Sequence, residues 1–247
     1  MTKGKYLVDG PTTAKAWLIL AHGAGAGMDS DFMADIAKQL GEAGVHVIRF
    51  NFPYMVQRAQ TGKKRPPDRA PILLESWHMV IDDIRSSHKG HLFIGGKSMG
   101  GRMASLIADE MGVDGLICLG YPFHPPGKPD NLRTEHLVAL RTPTLICQGE
   151  RDTFGKREEV EQYALSDQIR THWLEDGDHS FKPRKISGLT EAHNRQAQAS
   201  LRPRERFWDI QVPKIDSAFD NLLVPRTSWS ATETQFAQAA SWDRRSR

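Results

Sequence analysis

Three residues of this sequence have the side chains that nucleophilic catalysis requires, and each comes shortly after an apolar run: Ser98, Asp152 and His179. A serine hydroxyl is a weak nucleophile until a base removes its proton. A histidine can take that proton and return it to a leaving group, and a carboxylate can orient the histidine and stabilise its charged form. The three residues are therefore a candidate catalytic triad for acyl transfer.

The serine lies in the pattern Gly96-x-Ser98-x-Gly100, between the apolar run 91–94 and a helical pattern of apolar residues. This spacing is typical of a strand, a sharp turn and a helix with the serine at the apex. Glycines are suited to the turn because the strand and the helix approach closely there. The unpaired N–H groups at the start of the helix would favour negative charge near the serine.

A tetrahedral oxyanion needs preorganised N–H donors. The backbone N–H of Met99, directly after the serine, is one candidate. The glycine-rich turn His22–Gly27 follows the first apolar run and would supply a second donor, which we assign to Ala24. We expect His22 to have a structural role in supporting this turn.

The elements that must position these residues alternate along the chain, and this alternation favours a mostly parallel sheet flanked by helices. One domain over residues 1–201 accounts for them, and we expect the tail 202–247 to be partly disordered, with one short helix possible around 215–222. The predicted strands are 14–21, 45–50, 91–95, 113–121, 143–149 and 171–174. The predicted helices are 32–40, 73–87, 98–111, 156–165 and 187–201.

Two segments interrupt the alternation. In the stretch 54–72, the basic and proline-bearing residues 57–67 are interpreted as a surface loop, and 122–141 is interpreted as a lid or rim. The first could be a simple solvated connection or a loop over the active site that attracts an acidic substrate. Near the candidate triad, Lys97 is interpreted as a spacer whose stem packs beside the helix, and Asp176 and Asp178 are expected to face solvent.

Composition narrows the function further. The 247 residues carry a net charge of +3, which argues neither for nor against a nucleic-acid partner, and we expect none. No apolar run reaches the ~18 residues of a membrane span, and no signal peptide is recognisable, so we expect a cytoplasmic protein. The two cysteines lie in apolar runs without zinc spacing, and Gly23-x-Gly25-x-Gly27 is not a dinucleotide fingerprint. We therefore expect neither a metal nor a cofactor, and the oligomeric state stays open.

The motifs HGAGAG, GGKSMGGR, QGERD and GDHSF together resemble the alpha/beta-hydrolase superfamily over about residues 5–200. Within it they are most similar to a small dienelactone-hydrolase-like branch that includes a testis-expressed human protein and a chromatin acetyltransferase-complex subunit. The resemblance implies an α/β-hydrolase fold without a large cap domain, Ser98, Asp152 and His179 as the triad, and Ala24 and Met99 as the oxyanion hole. Dienelactone hydrolases use a cysteine nucleophile, so the serine is a departure, as is the tail, which does not look like the family's closing helix.

The expected function is that of a cofactor-independent serine hydrolase. It would act on a small ester, thioester or related acyl substrate through an acyl-enzyme on Ser98. Two alternatives remain open at this point. The chain could be an interaction or scaffold protein with an idle triad, or its acyl-enzyme could serve acyl transfer or perhydrolysis.

Overall fold

Seven strands form one sheet in the computed structural model, which describes residues 5–189. Their order across the sheet is β1-β3-β2-β4-β5-β6-β7. The strands are β1 Tyr6–Asp9, β2 Ala16–Ala21, β3 His46–Phe50, β4 His91–Lys97, β5 Gly115–Leu119, β6 Thr144–Gly149 and β7 Ile169–Leu174.

Strands β2 to β7 run parallel, as the alternation predicted, so their carboxyl ends meet at one edge of the sheet. Every residue of β2, β3, β5 and β6 is buried. Strands covered on both faces are expected to be continuous apolar runs, which is how most of them appear in the sequence. Strand β1 was not predicted: it is four residues long and pairs antiparallel with β3, with Tyr6 opposite Phe50.

Helices cover both faces of the sheet, and one apolar core lies on each. Helix α1 packs through Met33, Ile36, Ala37 and Leu40 on one face, whereas α2, α3 and α4 contribute to the core on the other. The helices are α1 Asp31–Glu42, α2 Pro53–Thr61, α3 Ala70–Ser87, α4 Met99–Met111 and α5 Arg157–Val160.

The prediction that 57–67 is a surface loop was wrong for residues 57–61, which belong to a helix. Helix α2 begins at Pro53, α3 begins at Ala70, and only the residues between them are irregular. Proline fits the first turn of a helix because its missing N–H would have no intrahelical partner there. Gly62, at φ 68°, ends α2 in the left-handed conformation that glycine favours.

Other boundaries also differ from the prediction. The helix expected over 156–165 is a single turn, Arg157–Val160, followed by further turns. Segment 122–141 contains the short 3₁₀ helix Glu135–Ala139 and otherwise turns and irregular chain. Of the helix expected over 187–201, only residues 187–189 are described. Ser187 is the last residue of the 3₁₀ turn Lys185–Ser187. Residues 190–201 and the tail 202–247 lie outside the described residues.

No helix within residues 5–189 is long and apolar enough to cross a membrane.

Candidate active site

Ser98, His179 and Asp152 are joined by hydrogen bonds at the carboxyl edge of the sheet. Ser98 Oγ lies 2.9 Å from His179 Nε2. On the other side of the ring, His179 Nδ1 lies 2.7 Å from Asp152 Oδ2. The structure thus brings together three residues that are 81 and 27 positions apart in the sequence. Their arrangement is the one in which the histidine acts as base towards the serine.

The backbone of Ser98 has the strained geometry of a nucleophile elbow. Its φ is 50° and its ψ is −115°, which is rare for a residue other than glycine. The flanking glycines make room for this turn. A Cβ at Gly96 would lie 2.5 Å from the carbonyl oxygen of Ala21, and one at Gly100 would lie 2.5 Å from that of His22. The turn projects the serine from the junction of β4 and α4.

Asp152 is fully buried, and its carboxylate accepts hydrogen bonds from three sides. Besides the histidine, Gln148 Nε2 donates to Oδ2 at 3.0 Å and the backbone N–H of Phe154 donates to Oδ1 at 2.9 Å. Buried charges are stable only when they are paired in this way. The ring of Phe154 also packs against the ring of His179, with 4.3 Å between their centroids.

The turn His22–Gly27 passes beside the serine. A Cβ built on Gly23 would lie 3.7 Å from the Cβ of Ser98. Within residues 5–189, the backbone N–H groups of Ala24 and Met99 donate no hydrogen bond. Both are therefore free to donate to an oxyanion.

Helix α2 holds this turn in place, a role that the sequence analysis missed. The hydroxyl of Tyr54 donates to the carbonyl oxygens of Gly23 and Ala24 at 3.2 and 3.1 Å, and Arg58 Nη1 donates to that of Gly25 at 3.0 Å. Burial raises the pKa of Tyr54 to about 12, so the phenol stays a donor at neutral pH.

His22 has the structural role that was predicted for it. The ring is fully buried, its Nδ1 lies 2.7 Å from the carbonyl oxygen of Gly23, and its Nε2 accepts from the N–H of Phe52 at 3.1 Å. Burial lowers the pKa of His22, which favours the neutral ring that these two contacts need. The imidazole therefore connects the turn to the start of α2.

Lys97 is more than the spacer that was predicted. Its ammonium donates a hydrogen bond to the backbone carbonyl of His179 and lies 5.5 and 5.2 Å from the ring centroids of Phe32 and Phe181. Burial lowers the pKa of Lys97 to about 8, although the charges of Asp152 and Asp178 oppose this shift. Lys97 therefore belongs to the site.

Of the two acids beside His179, Asp176 differs from expectation. Asp176 is buried rather than solvent-facing and forms ion pairs with Arg151 and Arg184 at 2.8 and 2.6 Å. These arginines hold its pKa at about 2. Asp178 accepts through Oδ1 from the backbone N–H groups of Ser180 and Lys182. Both carboxylates fix the loop that carries the histidine.

A pocket of about 990 Å³ opens beside the serine. Its wall comes from the glycine-rich turn, helix α1 and the loop after the histidine, so neither 54–72 nor 122–141 lines it. Phe32, Phe154 and Phe181 give it aromatic surface. Its polar lining consists of Ser98, His179 and Lys97 together with Ser30, Asp31, Asp35, Lys38, Ser180 and Lys182. Such a pocket fits a small, partly apolar molecule.

A second serine–histidine contact joins α4 to the 3₁₀ helix Glu135–Ala139. Ser105 Oγ is 2.8 Å from His136 Nε2, but Ser105 is 2% exposed and its hydroxyl donates to the carbonyl of Arg102. Burial, together with the guanidinium of Arg102, lowers the pKa of His136 to about 4. A serine in this position cannot meet a substrate, so the contact is structural.

Within residues 5–189, no cluster of three or more histidine, cysteine, aspartate or glutamate side chains could hold a metal ion. Cys118 and Cys147 are buried free thiols whose pKa burial raises.

This fold and elbow define the class of the protein. A family model described as an alpha/beta hydrolase domain matches residues 14–204, and the chain belongs to that family.

Solved structures share the fold at low sequence identity. A serine hydrolase without a lid from Xanthomonas campestris is 20% identical with a TM-score of 0.58, covering 81% of this chain and 90% of its own. A dienelactone hydrolase from Anabaena variabilis is 20% identical with a TM-score of 0.55, covering 72% and 82%. Est1E from Butyrivibrio proteoclasticus, in a structure with ferulic acid bound, is 17% identical with a TM-score of 0.55, covering 76% and 92%.

Proposed function

We propose that this protein is a cofactor-independent serine hydrolase that cleaves a small ester, thioester or related acyl substrate. The observation that carries the proposal is the hydrogen-bonded chain from Ser98 through His179 to Asp152, open to a pocket of about 990 Å³. A buried aspartate, a half-buried histidine and an accessible serine on a strained turn together favour catalysis over a purely structural role.

The first half of the reaction forms an acyl-enzyme. Ser98 Oγ attacks the acyl carbonyl while His179 Nε2 takes the hydroxyl proton. The backbone N–H groups of Ala24 and Met99 donate to the oxyanion of the tetrahedral intermediate. When the intermediate collapses, the bond to the alcohol or thiol breaks, and His179 returns its proton to the leaving group.

The second half releases the acid. His179 takes a proton from water as the water oxygen attacks the acyl carbon, and the proton passes to Ser98 Oγ as the ester bond to the enzyme breaks. Asp152 keeps the proton of the neutral imidazole on Nδ1, which leaves Nε2 free to act as base, and it stabilises the imidazolium in both halves.

A serine at this position also separates the chain from dienelactone hydrolases with a cysteine nucleophile. We also propose that the chain belongs to the branch with the testis-expressed protein and the acetyltransferase-complex subunit. Membership of this branch does not indicate a particular substrate. The pocket opens beside the serine, as would be expected of a hydrolase without a lid such as the Xanthomonas protein.

The test is hydrolysis of short-chain aryl esters by Ser98→Ala. Loss of the nucleophile should lower kcat by on the order of 10⁴–10⁶. Ser105→Ala is the matched control, because it removes the other histidine-bonded serine and should retain activity. Equal rates for wild type and Ser98→Ala would overturn the proposal.

A further inference from the structure

The ammonium of Lys97 is a cation in the pocket wall that has no carboxylate partner within residues 5–189. Its one hydrogen bond goes to the carbonyl oxygen of His179. An ammonium has three N–H donors, so two remain for another acceptor. The faces of Phe32 and Phe181 lie at 5.5 and 5.2 Å, within cation–π range.

The burial of this ammonium is energetically unfavourable when no ligand is bound. Taking a charge out of water without a paired counter-ion is unfavourable, and burial lowers the pKa of Lys97 to about 8. Asp152 is committed to His179, Gln148 and the N–H of Phe154. The charges of Asp152 and Asp178 favour the ammonium form, but neither carboxylate is paired with it, so an anion that enters the pocket would find unused N–H donors there.

The position of Lys97 fixes where such an anion would lie relative to the reacting atoms. Lys97 directly precedes the nucleophile, and consecutive Cα atoms are about 3.8 Å apart. Its side chain points to the α1 face of the sheet, where the pocket lies, because it contacts the rings of Phe32 and Phe181 there. An anion bound by Lys97 would therefore lie in the same pocket as the carbonyl that Ser98 attacks.

We infer that Lys97 binds a carboxylate on the acyl group, so that the preferred substrates are half-esters or half-thioesters of short dicarboxylic acids. The inference rests on the proposed hydrolase function and names the substrate class of the same site. It differs from the expectation that the basic stretch 54–72 attracts acidic substrates, because that stretch does not line the pocket and Arg58 binds the carbonyl of Gly25.

The competing interpretation is that Lys97 serves only to hold the loop of His179. The two interpretations differ in what a charge-removing substitution does. A pure positioning role lowers the rate for every substrate by the same factor. A recognition role lowers the rate for the anionic substrate more than for its neutral analogue.

The kinetic test compares the monoethyl esters of succinic, glutaric and adipic acid with ethyl butyrate, pentanoate and hexanoate. We expect the wild-type enzyme to have a higher kcat/KM for at least one monoethyl ester than for its neutral analogue. Lys97→Met should lower this ratio of kcat/KM values about ten- to a hundredfold. Lys64→Met, which removes an exposed charge of the basic stretch, should leave the preference unchanged. An equal loss for both substrates in Lys97→Met, or no preference in wild type, would overturn the inference.

A second measurement uses wild-type protein alone and so does not depend on whether Lys97→Met folds. Glutarate should slow the labelling of Ser98 by a neutral alkyl fluorophosphonate at concentrations at which the uncharged pentanamide has no effect. Labelling that glutarate does not slow would contradict the inference while leaving the hydrolase function intact. A folded protein that no fluorophosphonate labels would contradict the proposed function itself, and the inference with it.

Discussion

Gln148 Nε2 donates a 3.0 Å hydrogen bond to Asp152 Oδ2, the same oxygen that lies 2.7 Å from the ring of His179. The amide also donates to the carbonyls of Tyr121 and Gly155, and its oxygen accepts from the N–H of Tyr121 at 2.7 Å. A fully buried glutamine thus ties the carboxylate to the ends of β5 and β6. In the proposed mechanism it is a positioning residue for Asp152 and His179.

Gln148→Glu should move the acidic limb of the pH profile of kcat/KM to higher pH. A second carboxyl beside Asp152 adds negative charge near His179, which stabilises the protonated imidazole and so raises the pH at which it becomes a base. Gln148→Met, which carries no charge, should lower kcat without moving that limb. An unmoved limb in a folded, active Gln148→Glu enzyme would show that this carboxyl is not coupled to the base.

Tyr54→Phe tests the support of the oxyanion turn. The change removes the hydrogen bonds to the carbonyls of Gly23 and Ala24 and leaves the aromatic ring in the core. We expect kcat to fall about three- to tenfold with KM nearly unchanged, and the free energy of unfolding to fall by about 1 kcal/mol. Tyr163→Phe is the control in the same core and should keep full activity. A rise in KM at constant kcat would argue against a role in the transition state.

His136 makes stability depend on pH. Its pKa is about 4 in the folded protein and near 6.5 in an unfolded chain, so the unfolded chain binds the proton more readily. The contribution of His136 to stability is therefore fully present above about pH 6.5 and is lost as the pH falls towards 4. Urea unfolding at pH 7 and pH 5 measures it, and His136→Gln should show a smaller loss. An equal loss in the variant would assign the effect to other groups, among them His22, whose pKa is also lowered.

The preference for anionic substrates should also depend on pH, because it depends on the charge of Lys97. Above about pH 8 its ammonium loses the proton, so the preference for a half-ester over its neutral analogue should decline as the pH passes through that value. Asp152, Asp178 and the ring of His179 surround the group, and all are common to both substrates, so the ratio of kcat/KM values removes their contribution. A ratio that stays constant from pH 7 to pH 9.5 would contradict the recognition role.

The sequence predicted the parts of the fold that repeat a simple pattern. Fully buried parallel strands appear as continuous apolar runs, and the polar residues that follow them must meet at one edge of the sheet. For that reason Ser98, Asp152 and His179 could be placed together before any coordinates were known. Strand β1 was missed because it has only four residues, one of them buried and one exposed, which is too short a pattern to recognise.

The residues that support the site depend on register and packing, which the sequence does not show. Gln148 lies within a buried strand, so no periodicity distinguishes it from its apolar neighbours. The side of the sheet on which Lys97 lies follows from the register of β4 with β5. Helix α2 could have been found, because Pro53 and Gly62 are the residues that commonly start and end helices, but its basic composition favoured a loop.

The most direct test of the central claim is to treat the protein with a fluorophosphonate and locate the adduct by peptide mapping. The account predicts one adduct, on Ser98, that forms far more slowly in His179→Ala because the base is absent. Ser105 should stay unmodified. A folded protein that carries no adduct on Ser98, or that is labelled equally fast without His179, would contradict the claim that these residues form a working catalytic site.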